Sequence, residues 1–463
     1  MVFDKCRSAI LPYINKLGVD KAIAYSSGAS VLSALASFVT LYFIGLCLSE
    51  EVQGYYYTFG SLLALQTFFD LGFTGIMTQY VAHERAHLEW DQSKIKLFGE
   101  VFYKSRLSSL LHFCVKWYTV ISLAMMLVLI IVGFVFFSRF PQGGEVEWKG
   151  PWIAVCIGTS LNLFEAPILA FLRGLDKVKV VSKIFFYRQM IIPVITWGGL
   201  LVGMNLYVLG IASICSALYV FACILNSNFR KILVDIWICK ITSKVNYMKE
   251  IFPYQWKISL SWVSGYFLFQ LFNPVLFATE GAVVAGQMGM SLQVLNGISG
   301  LAMNWINTKI PVFSFHIERK EYVELDNLFF KTLRQESFVC LSLLIVFIFL
   351  VCMINQLGIY VGDTLLSERF LPIVPLILMS IPVYCNQFTF SYATYLRCHK
   401  QEPFLINSIV MGLLGASLTV ILGHVCGLYG ITAGYCVLTT LVSLPWAIYI
   451  FRSKRKQWHG NYE

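Results

Sequence analysis

The sequence predicts an all-α integral membrane protein with about twelve transmembrane helices in two six-helix bundles. Three observations carry this. The 463 residues are 57% hydrophobic and only 13% charged, with a mean hydropathy of +0.69, whereas a soluble domain carries nearer a quarter charged residues. Apolar runs of about 20 residues, the length that crosses a bilayer core, recur from end to end. The basic residues alternate between connections as the positive-inside rule requires. Barrel strands would be half as long and would alternate in polarity, which these runs do not.

The predicted spans are 22–47, 53–82, 117–138, 151–173, 180–202, 204–226, 256–278, 282–310, 336–358, 370–396, 403–425 and 428–451. Connections on one side carry Arg85, Lys94, Lys96, Lys104 and Arg106, then Arg173, Lys177 and Lys179. Arg230, Lys231, Lys240 and Lys244 follow, then Arg319, Lys320 and Lys331, Arg397 and Lys400, and the tail Arg452, Lys454, Arg455 and Lys456. The opposite connections are short and hold Glu50, Glu51, Glu145, Glu147, Glu280, Asp363 and Glu368; only Arg139, Lys149 and Arg369 depart from the pattern. About thirty of the 35 Lys and Arg thus fall on one side, which places both termini in the cytoplasm. One missed span would invert every later connection. No cleavable signal precedes the first span, and residues 1–21 read as a cytoplasmic interfacial segment.

Two basic connections, 84–115 and 317–334, mix apolar and charged residues and read as amphipathic interfacial helices. They occupy matching places, after the second and eighth spans. A repeat follows from this and from Asn162, Phe164 and Arg173 of the fourth span, which share their spacing with Asn386, Phe388 and Arg397 of the tenth. The expected organisation is a bundle over 22–227, a cytoplasmic linker over 228–252, a second bundle over 253–452 and a tail over 453–463. Two parallel repeats of six helices suit an alternating-access transporter.

The net charge of +10 is spread between the spans rather than gathered on a folded surface, so a nucleic-acid partner is not expected. The thirteen cysteines are scattered without a CxxC pair and read as small apolar fillers. His83-Glu84-Arg85-Ala86-His87 fits the HExxH zinc pattern. Arg85 inside it, its place at a helix exit and the lack of a convincing third ligand argue for a solvated helix end instead. No Walker A sequence, nucleophile elbow or paired-carboxylate site stands out, so no catalytic residue and no metal is assigned.

Polar residues within the spans are the remaining signal. Gln66, Asn162, Gln270, Asn273, Gln293, Asn296, Asn304, Asn307 and Asn386 should face other helices or a wet cavity. Asp70 lies thirteen residues before His83, about 20 Å in; it reads as an unpaired carboxylate that takes up a proton, or as a protonated acid bonded to a neighbouring helix. Glu165 and Arg188 lie at similar depth on one helical hairpin and can pair, structurally or in substrate binding and coupling. Lys309, near the inner end of the eighth span, either snorkels to the interface or meets an anion.

Glu51-Val52-Gln53-Gly54-Tyr55-Tyr56-Tyr57 followed by Phe69-Asp70-Leu71-Gly72-Phe73 resembles the second-helix signature of bacterial polysaccharide flippases. These are the O-antigen and capsule repeat-unit transporters of the multidrug/oligosaccharidyl-lipid/polysaccharide exporter superfamily. Pro253-Tyr254-Gln255-Trp256-Lys257 with Ser261-Trp262, Phe171-Leu172-Arg173-Gly174 and Pro311 with its basic sequel fit as well. The resemblance covers essentially the whole chain. It implies a fold similar to multidrug and toxin extruders, with a cleft lined mainly by helices 1, 2, 7 and 8. It implies a substrate of undecaprenyl pyrophosphate bearing an oligosaccharide, moved from the inner to the outer leaflet of the bacterial inner membrane. Polysaccharide polymerase and chain-length regulator are the implied protein partners, and a proton or sodium ion is the implied coupling ion, with no other cofactor. Arg188, Lys309, Lys257, Gln66 and Asn304 are the expected cavity residues, with Arg173 beside Lys257 at the inner mouth; Asp70 and Glu165 are the expected coupling residues. Two other classes are weighed: a multidrug cation antiporter of the same superfamily, and a membrane enzyme, either a metalloprotease or a glycan polymerase. The short outside connections disfavour a polymerase.

Overall fold

The computed structural model describes residues 21–91, 96–141, 146–225, 228–361, 364–399 and 401–460. Among them nine helices are long and apolar enough to cross a membrane, and each of the twelve predicted spans falls on helix. The first is α1 (Lys21–Cys47). The second is broken into α2 (Glu50–Leu63), a 3₁₀ turn (Ala64–Gln66), α3 (Thr67–Asp70) and α4 (Phe73–Arg85). Ser49 starts α2 by accepting from the Val52 N–H at 3.3 Å, and Glu50 and Glu51 suit the positive end of its dipole. Left-handed backbone at Leu71 (φ 49°) and Gly72 (φ 68°) produces the break. The Ser259 hydroxyl donates to the freed Leu71 carbonyl at 2.8 Å.

The connection over 84–115 differs from expectation. Instead of an interfacial helix it forms an antiparallel hairpin, β1 (Leu88–Asp91) on β2 (Lys96–Gly99), with Leu88 opposite Gly99. The reason is its alternation: Leu88 and Leu97 are buried while Glu89 and Phe98 are exposed, a period of two. From Val101 onward the charged residues belong to α5 (Val101–Arg139), the 39-residue helix that includes the third span.

Next come α6 (Lys149–Gly174), α7 (Val178–Leu201), α8 (Tyr207–Leu225), the short amphipathic α9 (Asn228–Trp237) and a π turn (Tyr247–Ile251). The seventh span is α10 (Phe252–Phe269) with α11 (Phe272–Thr279), and the eighth is α12 (Ala282–Asn307), followed by α13 (Ile310–Glu318). The second expected interfacial helix, 317–334, is also corrected. After a turn with Lys320 at φ 58°, it is the start of α14 (Tyr322–Leu357), continuous with the ninth span. A two-residue hairpin, β3 (Tyr360–Val361) on β4 (Thr364–Leu365), and a 3₁₀ turn (Leu366–Arg369) lead to α15 (Ile373–Arg397). The last two spans are the parts of α16 (Leu405–Val437) before and after its kink at Gly427, the second continuing through a π turn into α17 (Leu444–His459). The expected tail over 453–463 is therefore helical as far as His459. The segment expected over 1–21 lies, but for Lys21, outside the described residues.

The contacts form two compact units whose segments interleave along the chain. The first holds Met1–Ala36, Gly72–Ile131 and Lys149–Gln255; the second holds Ser37–Leu71, Val132–Trp148 and Trp256–Glu463. The second unit takes in α2 because α2 packs on α12 with almost no side chain between them. A Cβ added at Gly54 would lie 2.0 Å from the Ala282 carbonyl oxygen, and one at Gly289 would lie 2.3 Å from the Tyr57 side chain. Tyr55 fills the same unit's core against Phe137 and Phe277, with ring centroids 5.3 and 4.9 Å away.

The two asparagines that share their spacing in the sequence each make an interhelical bond. In the first unit, the Asn162 amide of α6 donates to Ser213 of α8 at 2.7 Å. In the second unit, the Asn386 amide of α15 donates to the Tyr435 hydroxyl of α16 at 3.0 Å. The fourth helix is thus tied to the sixth as the tenth is to the twelfth.

Candidate functional site

In the first unit the predicted pair forms. Arg188 of α7 donates from Nη1 to Glu165 Oε1 of α6 at 2.7 Å. Glu165 is fully buried and its Oε2 has no hydrogen-bond partner, while the Arg188 side chain is 19% exposed. Both sit on long apolar helices of one hairpin, so the match of depth read from the sequence brings them together. Arg173, at the end of α6, stacks over Phe185 with its guanidinium 4.6 Å from the ring centre.

The same unit closes its end with a three-way ion cluster. Arg106 Nε donates to Glu84 at 2.8 Å and Nη2 to Glu250 at 2.6 Å. Tyr80 donates to the Glu250 carbonyl, and Glu250 Oε1 accepts from the Asn246 N–H at 2.8 Å. Burial alone would raise the Glu250 carboxyl, but the bonds from Arg106 and Asn246 outweigh it and hold it below the usual carboxylate range. Glu84, the would-be base of the HExxH pattern, is thus the buried partner of Arg106. His87 instead stacks on Tyr103, with centroids 4.0 Å apart. Among the described residues no three His, Cys, Asp or Glu side chains gather at metal-holding spacing.

In the second unit the predicted residues separate into two groups. Asn273, Gln293 and Asn386 are interhelical bonds rather than cavity groups: Asn273 reaches Ser61 at 3.1 Å, and Gln293 accepts from Tyr57 at 2.8 Å and donates to the Ser37 carbonyl at 3.2 Å. Gln66, Asn296, Asn304 and Asn307 are exposed. The last three, with Gly300, recur at i, i+4, i+8 and i+11 and share one face of α12. Lys309, also exposed, stands just past its end as the N-cap of α13. Lys257 is on α10, and its side chain lies outside the described residues. Asp70 closes α3 directly before the left-handed break. The expectation that it is unpaired is corrected, because it makes a polar or electrostatic contact in the fold.

Two polar clusters escaped the sequence reading. Glu336 of α14 is fully buried, with Oε2 accepting from Ser391 of α15 at 2.7 Å and Oε1 without a partner. The sequence reading places Glu336 at a span boundary; in the structure it lies about 21 Å into α14. Arg369, which departs from the charge pattern, is 4% exposed and donates to Gln53 Oε1 at 3.2 Å. The Gln53 amide in turn donates to the Gly286 and Arg369 carbonyls at 3.0 and 3.1 Å. The signal for this knot is the departure of Arg369 from the charge pattern, together with Gln53 in the second-helix motif.

No protein-family model matches this sequence, and no curated protein matches it. Solved structures do resemble it. One is an inward-facing multidrug resistance MATE family transporter of the MOP superfamily, with a TM-score of 0.66 at 14% identity over 95% of this chain and 99% of that one. Another is the lipid II flippase MurJ in an inward closed conformation, with 0.58 at 14% identity over 95% and 90%. A third is the MATE multidrug transporter DinF-BH, with 0.59 at 12% identity over 94% and 95%. This chain therefore has the all-α membrane-transporter fold seen in MATE multidrug transporters and in the lipid II flippase MurJ.

Proposed function

We propose that the protein is a member of this transporter superfamily and flips a lipid-linked oligosaccharide, an undecaprenyl-pyrophosphate repeat unit, across the bacterial inner membrane by alternating access, for surface polysaccharide assembly. The observation that carries this reading is the exposed face of α12. A row of amides, Asn296, Asn304 and Asn307, would be costly against lipid tails but suits a wet surface that bonds sugar hydroxyls. Lys309 at its end suits the pyrophosphate. The second-helix signature and the fold shared with the lipid II flippase support the same substrate class. In this reading Gln66, Asn304, Lys309, Lys257 and Arg188 contact the substrate. Asp70, at the break in the second helix, and Glu165 carry coupling to a proton or sodium gradient. Both termini are cytoplasmic.

The multidrug reading rests on the higher similarity to a MATE transporter. Lys309 beside the amide row argues against an amphiphilic cation as cargo, because like charges repel.

In a strain lacking its own flippase, the wild type is expected to restore surface polysaccharide. Asp70→Asn keeps a hydrogen-bonding group and removes titration; it should reach the membrane in normal amount yet leave lipid-linked repeat units inside. Drug efflux by the wild type without any restored glycan would overturn the assignment. Full polysaccharide in Asp70→Asn would remove Asp70 from the mechanism.

A further inference from the structure

The second unit holds a cavity of about 400 Å³ at the end of the last helix, within the roughly 300–1,000 Å³ of small-molecule sites. Its walls include Tyr322 and Asp326 of α14 and Arg452, Arg455, Lys456 and His459 of α17. The wall is braced. Arg455 donates to Asp326 Oδ2 from Nε at 2.8 Å and Nη2 at 2.7 Å, and the Tyr395 hydroxyl donates to Asp326 Oδ1 at 2.6 Å. His459, 7% exposed, stacks on Tyr322 with centroids 4.0 Å apart, and its Nε2 lies 3.0 Å from His399 Nε2. Its Nδ1 is buried and makes no hydrogen bond.

With Asp326 and Arg455 engaged with each other, Arg452 and Lys456 set the charge of the cavity. They are exposed, one turn apart on the same helix face, and among the described residues neither has a carboxylate within ion-pair distance. Two unpaired cations one turn apart repel each other, and an anion between them would relieve that repulsion. Arg452 directly follows the last apolar run, at the depth where lipid headgroups lie. Basic pockets at such helix ends take acidic headgroups.

We propose that this cavity is a phosphate-binding site, held by Arg452 and Lys456, whose occupant is the headgroup of an acidic phospholipid. The site is separate from the amide row of α12 and does not depend on the flippase reading. A bound headgroup would tie α17 to α14 across Asp326 and fix the end of the last helix.

Native mass spectrometry of the purified protein with equal phosphatidylglycerol and phosphatidylcholine tests this. The wild type should retain phosphatidylglycerol in preference. Arg452→Gln and Lys456→Gln should each weaken that retention about fivefold. Both side chains are exposed, so thermal unfolding without lipid should be unchanged. Lys454→Gln removes an equal charge outside the cavity and should stay within about twofold of wild type. Displacement of the lipid by millimolar inorganic phosphate would show that free phosphate also enters; failure to displace it would show that the lipid headgroup is required. An equal loss in Lys454→Gln would reduce the effect to general surface charge and overturn the site. So would the absence of both phosphatidylglycerol preference and phosphate binding.

Discussion

Replacing Arg188 with Gln strips the cation from a carboxylate that the fold has already removed from solvent. Glu165 is 0% exposed, one oxygen bonds Arg188 at 2.7 Å and the other has no partner. Breaking a buried pair from one side costs about 3–5 kcal/mol, because the remaining charge is left uncompensated. The two sides are not equivalent here. Arg188→Gln leaves the fully buried partner, so it belongs at the upper end of that range. Glu165→Gln leaves an arginine that is 19% exposed, less completely buried than Glu165, so it belongs at the lower end. The double variant carries no stranded charge and should regain part of the loss, with a coupling of about 0.5–3 kcal/mol. The assay is the apparent melting temperature and folded yield of detergent-purified protein for all four forms. The expected order is wild type, double variant, Glu165→Gln, Arg188→Gln. Strictly additive losses, or an Arg188→Gln variant as stable as wild type, would refute the reasoning.

Gly427→Ala should destabilise by more than about 1 kcal/mol, because φ is 58° there and a Cβ would lie 1.4 Å from the Glu280 carboxylate that caps Leu428; chemical denaturation against wild type reads this. Gly54→Val should separate α2 from α12, since even a Cβ meets the Ala282 carbonyl at 2.0 Å; a loss of folded yield is expected, and normal yield would contradict the packing. Arg106→Gln should move acid unfolding. The depressed Glu250 carboxyl adds stability above the unfolded value near 4.5, and that stability is lost as pH falls through the lower folded value. The variant should therefore lose stability at neutral pH and show a flatter dependence below pH 4.5.

The spans were legible because hydropathy and charge side check one another. Glu165 and Arg188 were legible because equal depth on a hairpin leaves few other partners. The hairpin over Leu88–Gly99 was not, since its short alternation is masked by charges that equally suit an amphipathic helix. The Gln53–Arg369 knot joins residues 316 positions apart; the departure of Arg369 from the charge pattern marks it as unusual, but nothing local names its partner. Asp70 reads as unpaired because the sequence shows only its own helix; in the fold it makes a polar or electrostatic contact. Glu336 reads as a span boundary because α14 begins fourteen residues before its apolar run.

The central claim is that the cargo is a lipid-linked glycan, and transport by the purified protein in proteoliposomes tests it most directly. With a fluorescent undecaprenyl-pyrophosphate oligosaccharide, the wild type should move label between leaflets under an imposed ion gradient, and Asn296→Leu with Asn304→Leu and Lys309→Gln should slow it at least tenfold. No movement of the glycan lipid by wild-type protein that exports amphiphilic cations under the same gradient would contradict the account.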